Sequence, residues 1–238
     1  MTDHQTIVNF PLPLVALYRD PYLLAVNKPA GLLTLPDGYQ RAAPCLIDLL
    51  KQQFDRVWVV HRLDRDTSGV IMFALTAEVH RALNLAFDSH AVAKTYHALV
   101  DGTPEWDEQV VDLPLRPDGD RRHRTVIDRA HGKPAVTRVR VLERFAQQAL
   151  LEARPETGRT HQIRSHLAAL GLPLIGDALY GGAGSPASIS RAALVSIRRA
   201  ALHAYALEFI HPVTRAPLVL AAPYPDDFVL ALQRLRGG

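Results

Sequence analysis

The segment His61-Arg62-Leu63-Asp64-Arg65-Asp66-Thr67-Ser68-Gly69 gathers carboxylates, guanidiniums, an imidazole and hydroxyls into one short stretch. Val57-Trp58-Val59-Val60 precedes it and Val70-Ile71-Met72-Phe73-Ala74-Leu75 follows it. Both runs are apolar, rich in β-branched and aromatic residues, and read as buried strands. Charges lodged between buried strands must pair or do chemistry, because an unpaired buried charge is expensive. The chemistry on offer is that of a carboxylate, Asp64 or Asp66, acting as nucleophile or base. The competing reading is a capped turn in which Asp64 pairs with Arg62 or Arg65.

Other chemistries fit less well. His61-Arg62 followed by Asp64 superficially matches a protein-kinase catalytic loop. The order of Leu and Asp is wrong, however, and no glycine-rich phosphate loop or Asp-Phe-Gly accompanies it. His161 and His166 are five apart, so on a helix they point about 140° from one another, a poor chelate. A zinc-dependent base deaminase would need cysteine ligands, and Cys45 is the single cysteine. No metal site is expected. Ser68 lacks the Gly-x-Ser-x-Gly frame of a nucleophile elbow.

The elements that must position the loop are readable from periodicity. Strands are expected over Tyr22 to Asn27, Lys94 to Val100, Ala135 to Phe145, Ala149 to Ala153, Leu202 to Ile210 and Leu218 to Ala221. Lys28-Pro29-Ala30-Gly31 closes the first of these as a turn. Leu46, Leu49 and Leu50 predict a helix after Pro44. Val79, Leu83 and Phe87 predict a second, with Thr76 as N-cap. Ile163, Leu167 and Leu170 predict a third that ends at Gly171, and Pro225 with Asp226 opens a terminal helix. Strands outnumber helices and several are hairpin-connected. The expected class is therefore α+β, with a mixed, largely antiparallel central sheet flanked by helices.

The 238 residues suffice for a sizeable core, and the hydrophobic content of 48% is that of an ordinary globular protein. A lone cysteine fits a reducing cytosol, and neither a signal peptide nor a membrane span is expected. The net charge is only +3. Between Arg116 and Arg140, however, eight Lys/Arg stand against three Asp, a local excess of five. Arg191, Arg198 and Arg199 form a second basic cluster. Two such clusters suggest a footprint for a phosphate backbone.

Several motifs in order resemble the RluA-type family of pseudouridine synthases. These are Asn27-Lys28-Pro29-Ala30-Gly31-Leu32, the His61–Gly69 segment, Lys94-Thr95-Tyr96-His97-Ala98-Leu99-Val100 and Gly132-Lys133-Pro134-Ala135-Val136-Thr137. Thr157-Gly158-Arg159-Thr160-His161-Gln162-Ile163-Arg164 and Gly176-Asp177-Ala178-Leu179-Tyr180-Gly181 complete the set. The resemblance runs from about Leu14 to Pro223. It implies isomerisation of specific uridines to pseudouridine in structured RNA, rRNA and/or tRNA, with an active-site cleft across the sheet and no cofactor. It implies Asp64 as the catalytic carboxylate, Tyr96 as the active-site tyrosine and Arg164 as the arginine that pairs with Asp64.

Further roles follow as expectations. Leu202 is an apolar residue near the base. Arg62 fills a vacated stack or meets phosphate, and Arg159, His161, Arg121, Arg122 and Arg124 contact RNA. A single catalytic domain is expected over 14–235, after an N-terminal tail over 1–13. Many relatives carry an S4 RNA-binding domain, and none is expected here, so RNA capture falls to the basic clusters. The stretch from Gly182 to Arg199 reads as a variable insertion. RNA is the expected partner, with no obligate protein partner and no membrane, in the cytoplasm. Two other readings stay open: an RNA-binding module without catalysis, and a nucleoside hydrolase that would release free uracil.

Overall fold

A computed structural model describes residues 6–10, 12–36, 43–181 and 197–237. The chain divides into two compact units: Met1–Lys94 with Ala204–Pro223, and Thr95–His203 with Tyr224–Gly238.

In the first unit, β1 (Thr6–Phe10), β2 (Leu12–Arg19), β3 (Leu23–Lys28) and β5 (Ser68–Ala74) pair antiparallel in that order. β4 (Trp58–Val59) also pairs with β5, through Trp58↔Ala74 and Val59↔Phe73. β13 (Pro217–Ala221) pairs with β12 (Leu202–Ile210) through Ala206↔Ala221 and Ile210↔Pro217. All seven β5 residues are buried, which explains its uninterrupted apolar reading. Helix α1 is Leu46–Lys51 and helix α2 is Ala77–Asp88. The Thr76 Oγ1 accepts from the Val79 amide, as the sequence anticipates. Val79 and Leu83 of α2 join Leu23, Ala25, Val70, Met72, Leu207 and Phe209 in one core.

In the second unit, β6 (Ala93–Asp101), β11 (Gln148–Pro155), β10 (Val136–Arg144) and β7 (Glu108–Asp112) pair antiparallel in that spatial order. Period-two alternation gives the strands two faces. Ala98, Val100, Ala149, Leu151 and Ala153 pack with Ile163 and Leu167 of α3 (Gln162–Ala169). Leu99 and Leu150 face the other way, onto Phe228, Ala231 and Leu232 of α4 (Asp226–Arg236). A separate two-stranded hairpin, β8 (Leu115–Arg116) with β9 (Val126–Ile127), carries much of the first basic cluster.

The fold is α+β and largely antiparallel. It departs from the sequence reading at the margins. Within the stretch expected as a tail, Thr6–Phe10 form a strand. β7 was not anticipated because only Val111 of its five residues is buried, so it shows no alternation. Two of the divisions between the compact units fall inside β6 and β12. No helix among the described residues is long and apolar enough to cross a membrane. Arg191 and most of the 182–199 stretch lie outside the described residues.

Candidate active site

The β4–β5 connection, residues 60–67, holds Asp64. The expectation of buried charge in this loop does not hold. Arg62, Arg65 and Asp66 are exposed and Asp64 is half-buried, whereas Leu63, Thr67 and Ser68 are buried. The loop lies with its small and apolar side chains inward and its charges outward, so desolvation does not force those charges to pair.

What is buried beneath the loop is a lysine. Lys28, at the end of β3, has no exposed surface. Its ammonium donates to the carbonyls of Pro29 at 2.9 Å, Leu32 at 2.7 Å and Arg65 at 3.0 Å. Those are three acceptors for three N–H groups, which offsets the cost of burying the charge. The Arg65 carbonyl also accepts from the Gly31 amide at 2.8 Å. On the other side of Asp64, Thr34 Oγ1 donates to the Leu63 carbonyl at 2.8 Å and accepts from the Leu63 amide at 3.2 Å. The backbone is thus pinned at both neighbours of Asp64. The Asp64 carbonyl itself accepts from the Thr67 amide at 3.2 Å, closing a turn.

His61 fastens the loop to β5. Its Nε2 accepts from the Met72 amide at 3.0 Å, and its ring stacks on Phe87 with centroids 4.7 Å apart. This bond requires the imidazole to be neutral at Nε2. Burial, with the charge of Lys94 adding to it, pushes its pKa down to about 3. Gly69, two residues into β5, has φ of 115°, and a Cβ there would stand 2.1 Å from the Ala204 carbonyl oxygen. Only glycine fits that close approach.

In the second unit, Tyr96 lies half-buried on β6, against the core of Ala98, Val100 and Ala153. Leu202 opens β12 but is 4% exposed and packs in that same core. Arg164, on α3, is 12% exposed at its side chain. The resemblance implies that it pairs with Asp64. The structure commits the Nε–Nη2 edge to Asp177: Nε donates to Oδ2 at 2.7 Å and Nη2 to Oδ1 at 2.9 Å. Asp177 Oδ1 also accepts from the amides of Leu179 at 2.9 Å and Tyr180 at 3.1 Å. Burial by itself would raise the Asp177 carboxyl. The Arg164 guanidinium and the two amides outweigh it and hold the group below the usual carboxylate value. The ring of Tyr180 lies 4.9 Å from the Arg164 guanidinium carbon.

The turn that leads into α3 is built by its own motif. Buried Gln162 accepts from Thr157 Oγ1 at 2.7 Å and from the Arg159 amide at 3.0 Å. It donates to the Val136 carbonyl and to Thr137 Oγ1, each at 2.9 Å. His161 stands in the left-handed region, with φ of 51°, and its Nδ1 is 3.1 Å from the Tyr180 hydroxyl. Arg159 is exposed, with Nε donating to the Pro134 carbonyl. His166 is fully buried between Thr137 Oγ1 and the Leu113 carbonyl, both at 2.9 Å. Among the described residues no three His, Cys, Asp or Glu side chains gather to hold a metal.

The basic clusters are partly spent on internal pairing. Arg116 pairs with Asp128, Arg124 with Asp120, Arg138 with Glu156 and Arg140 with Glu152. Arg122 donates to the Ala178 carbonyl at 3.0 Å. Arg121, Arg129 and Lys133 are exposed, as is Arg62 in the other unit. In the second cluster Arg199 is not a phosphate ligand in waiting. It forks onto Asp227 at 2.7 and 2.9 Å, leaving Arg198 as its exposed member among the described residues.

Sequence reasoning gave no role to Lys28, Thr34, Asp177 or Tyr180. A lysine at the end of a strand with every residue buried or nearly so, and an aspartate two and three residues before amides it can accept from, were the available signals.

Comparison with known proteins adds to this geometry. The family model described as RNA pseudouridylate synthase matches residues 22–169. The chain is 40% identical over 230 residues to ribosomal large subunit pseudouridine synthase D of Nitrosomonas europaea, covering 94% of this chain and 66% of that protein. It is 41% identical over 236 residues to the protein of the same name from Xanthomonas campestris, covering 94% and 70%. The chain thus spans about two thirds of the length of these relatives. Dual-specificity RNA pseudouridine synthase RluA of Vibrio vulnificus is 36% identical, covering 88% of this chain and 84% of that protein. Among solved structures, human RNA pseudouridylate synthase domain containing 4 is similar with a TM-score of 0.77 and 27% identity, covering 93% of this chain and 92% of that chain.

Proposed function

This chain belongs to the RluA-type family of RNA pseudouridine synthases, and we propose that it isomerises uridine to pseudouridine in large-subunit ribosomal RNA. The observation that carries the reading is 40% to 41% identity, over 94% of the chain, to proteins named for that activity. The pinned loop around Asp64 supports it, since a catalytic carboxylate gains from a rigid mount.

The reaction breaks the bond from C1′ to N1 and forms one from C1′ to C5. The proton leaves C5 and N1 gains one, so nothing is oxidised and no group is lost. Asp64 acts on the nucleoside as nucleophile or base. Tyr96 stacks on the uracil, and its phenol takes part in removing the C5 proton. Arg164 supplies a permanent positive charge that keeps the catalytic carboxylate ionised. A uracil stacked in RNA is out of reach, so the nucleotide is flipped at a cost of a few kcal/mol, least in loops and bulges. Arg62 and the exposed cations of the first basic cluster, Arg121 foremost, meet phosphates. A ribosomal substrate goes with a cytoplasmic location.

Tritium release from RNA labelled at uracil C5 tests this directly. The protein is expected to release tritium from a large-subunit rRNA transcript with no free uracil, and Asp64→Ala to release none. Free uracil as product would replace the reading with a hydrolase. Release undiminished in Asp64→Ala would remove Asp64 from its role. Pseudouridine mapping in cells with and without the protein identifies the site.

A further inference from the structure

The Asp177–Gly181 turn does more than hold Arg164. It is also the place where the basic hairpin is fastened. Arg122, in the hairpin tip, donates to the Ala178 carbonyl at 3.0 Å. Thr125, buried just before β9, is held at both its amide and its carbonyl: the Tyr180 hydroxyl accepts from the amide at 2.8 Å and donates to the carbonyl at 3.2 Å. Ser165 Oγ, one residue beyond Arg164, donates to the same carbonyl at 3.1 Å. The Tyr180 hydroxyl has one proton and two lone pairs. Donating to Thr125 and accepting from both the Thr125 amide and His161 Nδ1–H satisfies it completely, which sets the His161 tautomer.

Two adjacent ties therefore share one rigid turn. Asp177 grips the guanidinium by its Nε–Nη2 edge, and the Tyr180 ring lies beneath that guanidinium. A second anion can meet Arg164 only from another direction, so the grip sets the direction of aim. The same Tyr180 reaches with its hydroxyl to the root of the hairpin that carries Arg121. We propose that Asp177 and Tyr180 are positioning residues on one shared turn, Asp177 for the aim of Arg164 and the Tyr180 hydroxyl for the seat of the hairpin that captures RNA. This rests on the reading of the protein as an RNA-modifying enzyme. Asp177 governs the guanidinium, so its loss acts on turnover. The Tyr180 hydroxyl governs the hairpin root, so its loss acts on RNA binding.

The test is steady-state kinetics on the rRNA transcript, with full-length protein. Asp177→Asn keeps Oδ1 as acceptor for the Leu179 and Tyr180 amides, but it removes the charge and turns an NH2 toward Arg164. It is expected to lower kcat by about tenfold or more and to change KM by less than about threefold. Tyr180→Phe keeps the ring under the guanidinium and deletes the hydroxyl. It is expected to raise KM by about tenfold, with the smaller effect on kcat. Asp177 acts through Arg164, so Asp177→Asn in an Arg164→Lys background should cost far less than it does alone. Additive losses in that cycle would make Asp177 a structural residue and overturn the proposal, as would equal effects of the two variants on kcat and KM. If Asp177→Asn fails to fold, Tyr180→Phe decides alone: an unchanged KM overturns the proposal. If the wild-type protein forms no pseudouridine on any RNA, the functional reading fails instead. RNA affinity in Tyr180→Phe then still reports on the hairpin root.

Discussion

The aspartate at the centre of the proposed chemistry is held by residues that do none of it. Lys28 and Thr34 bind backbone carbonyls on either side of Asp64, and neither contact is visible in a sequence, because the partners are main-chain atoms. Asp64 itself is proposed from its motif. The reason for the lysine two residues before Ala30 was not legible there. Lys28→Met keeps the length of the side chain and withdraws three N–H donors. We expect a destabilisation of roughly 1–3 kcal/mol by urea titration, since carbonyls would be stranded while a buried charge is relieved. Turnover should fall about 10- to 100-fold with RNA affinity nearly kept, because a catalytic group displaced by about an ångström loses that much. A variant that unfolds earlier in urea but turns over normally would show that Lys28 serves stability alone.

Elements were legible in proportion to how much of them is buried. β5, covered on both faces, reads as a continuous apolar run, and β6 and β11 alternate between two cores. β7 buries one residue of five, and β8 and β9 have two residues each, so neither periodicity nor length gives them away. The hairpin those short strands form turns a count of basic residues into a surface. Its arginines divide into those that build or fasten it, Arg116 with Asp128, Arg124 with Asp120 and Arg122 on the Ala178 carbonyl, and Arg121, which stands exposed at the tip. If Arg121 meets one phosphate, Arg121→Ala should reduce the slope of log affinity against log salt by about one. An unchanged slope would place the footprint elsewhere. Arg124→Ala is expected to act through loss of the hairpin turn, and so to lower affinity at every salt concentration.

At the scale of the molecule, the buried histidines make the fold sensitive to acid. Three histidines are kept neutral by burial: His61, pushed down to about 3; His97, pushed down to about 4; and His166, lowered where it sits between the Thr137 hydroxyl and the Leu113 carbonyl. An unfolded chain protonates its histidines near pH 6.5, before the folded one does. Stability therefore falls as pH drops from about 6.5 toward 4, while the depressed Asp177 withholds its own loss until lower pH still. The urea midpoint should be clearly lower at pH 5 than at pH 7.5, and an unchanged midpoint would contradict the burial of these rings. The division into two units carries a different consequence, for biosynthesis. The core of the first unit takes Leu207, Phe209, Leu220 and Ala222 from the segment Ala204–Pro223, and that of the second takes Phe228, Ala231 and Leu232 from the last helix. A ribosome that has carried this sequence only as far as His203 has thus completed neither unit, and both wait, open to proteases and chaperones, on the segments that follow it.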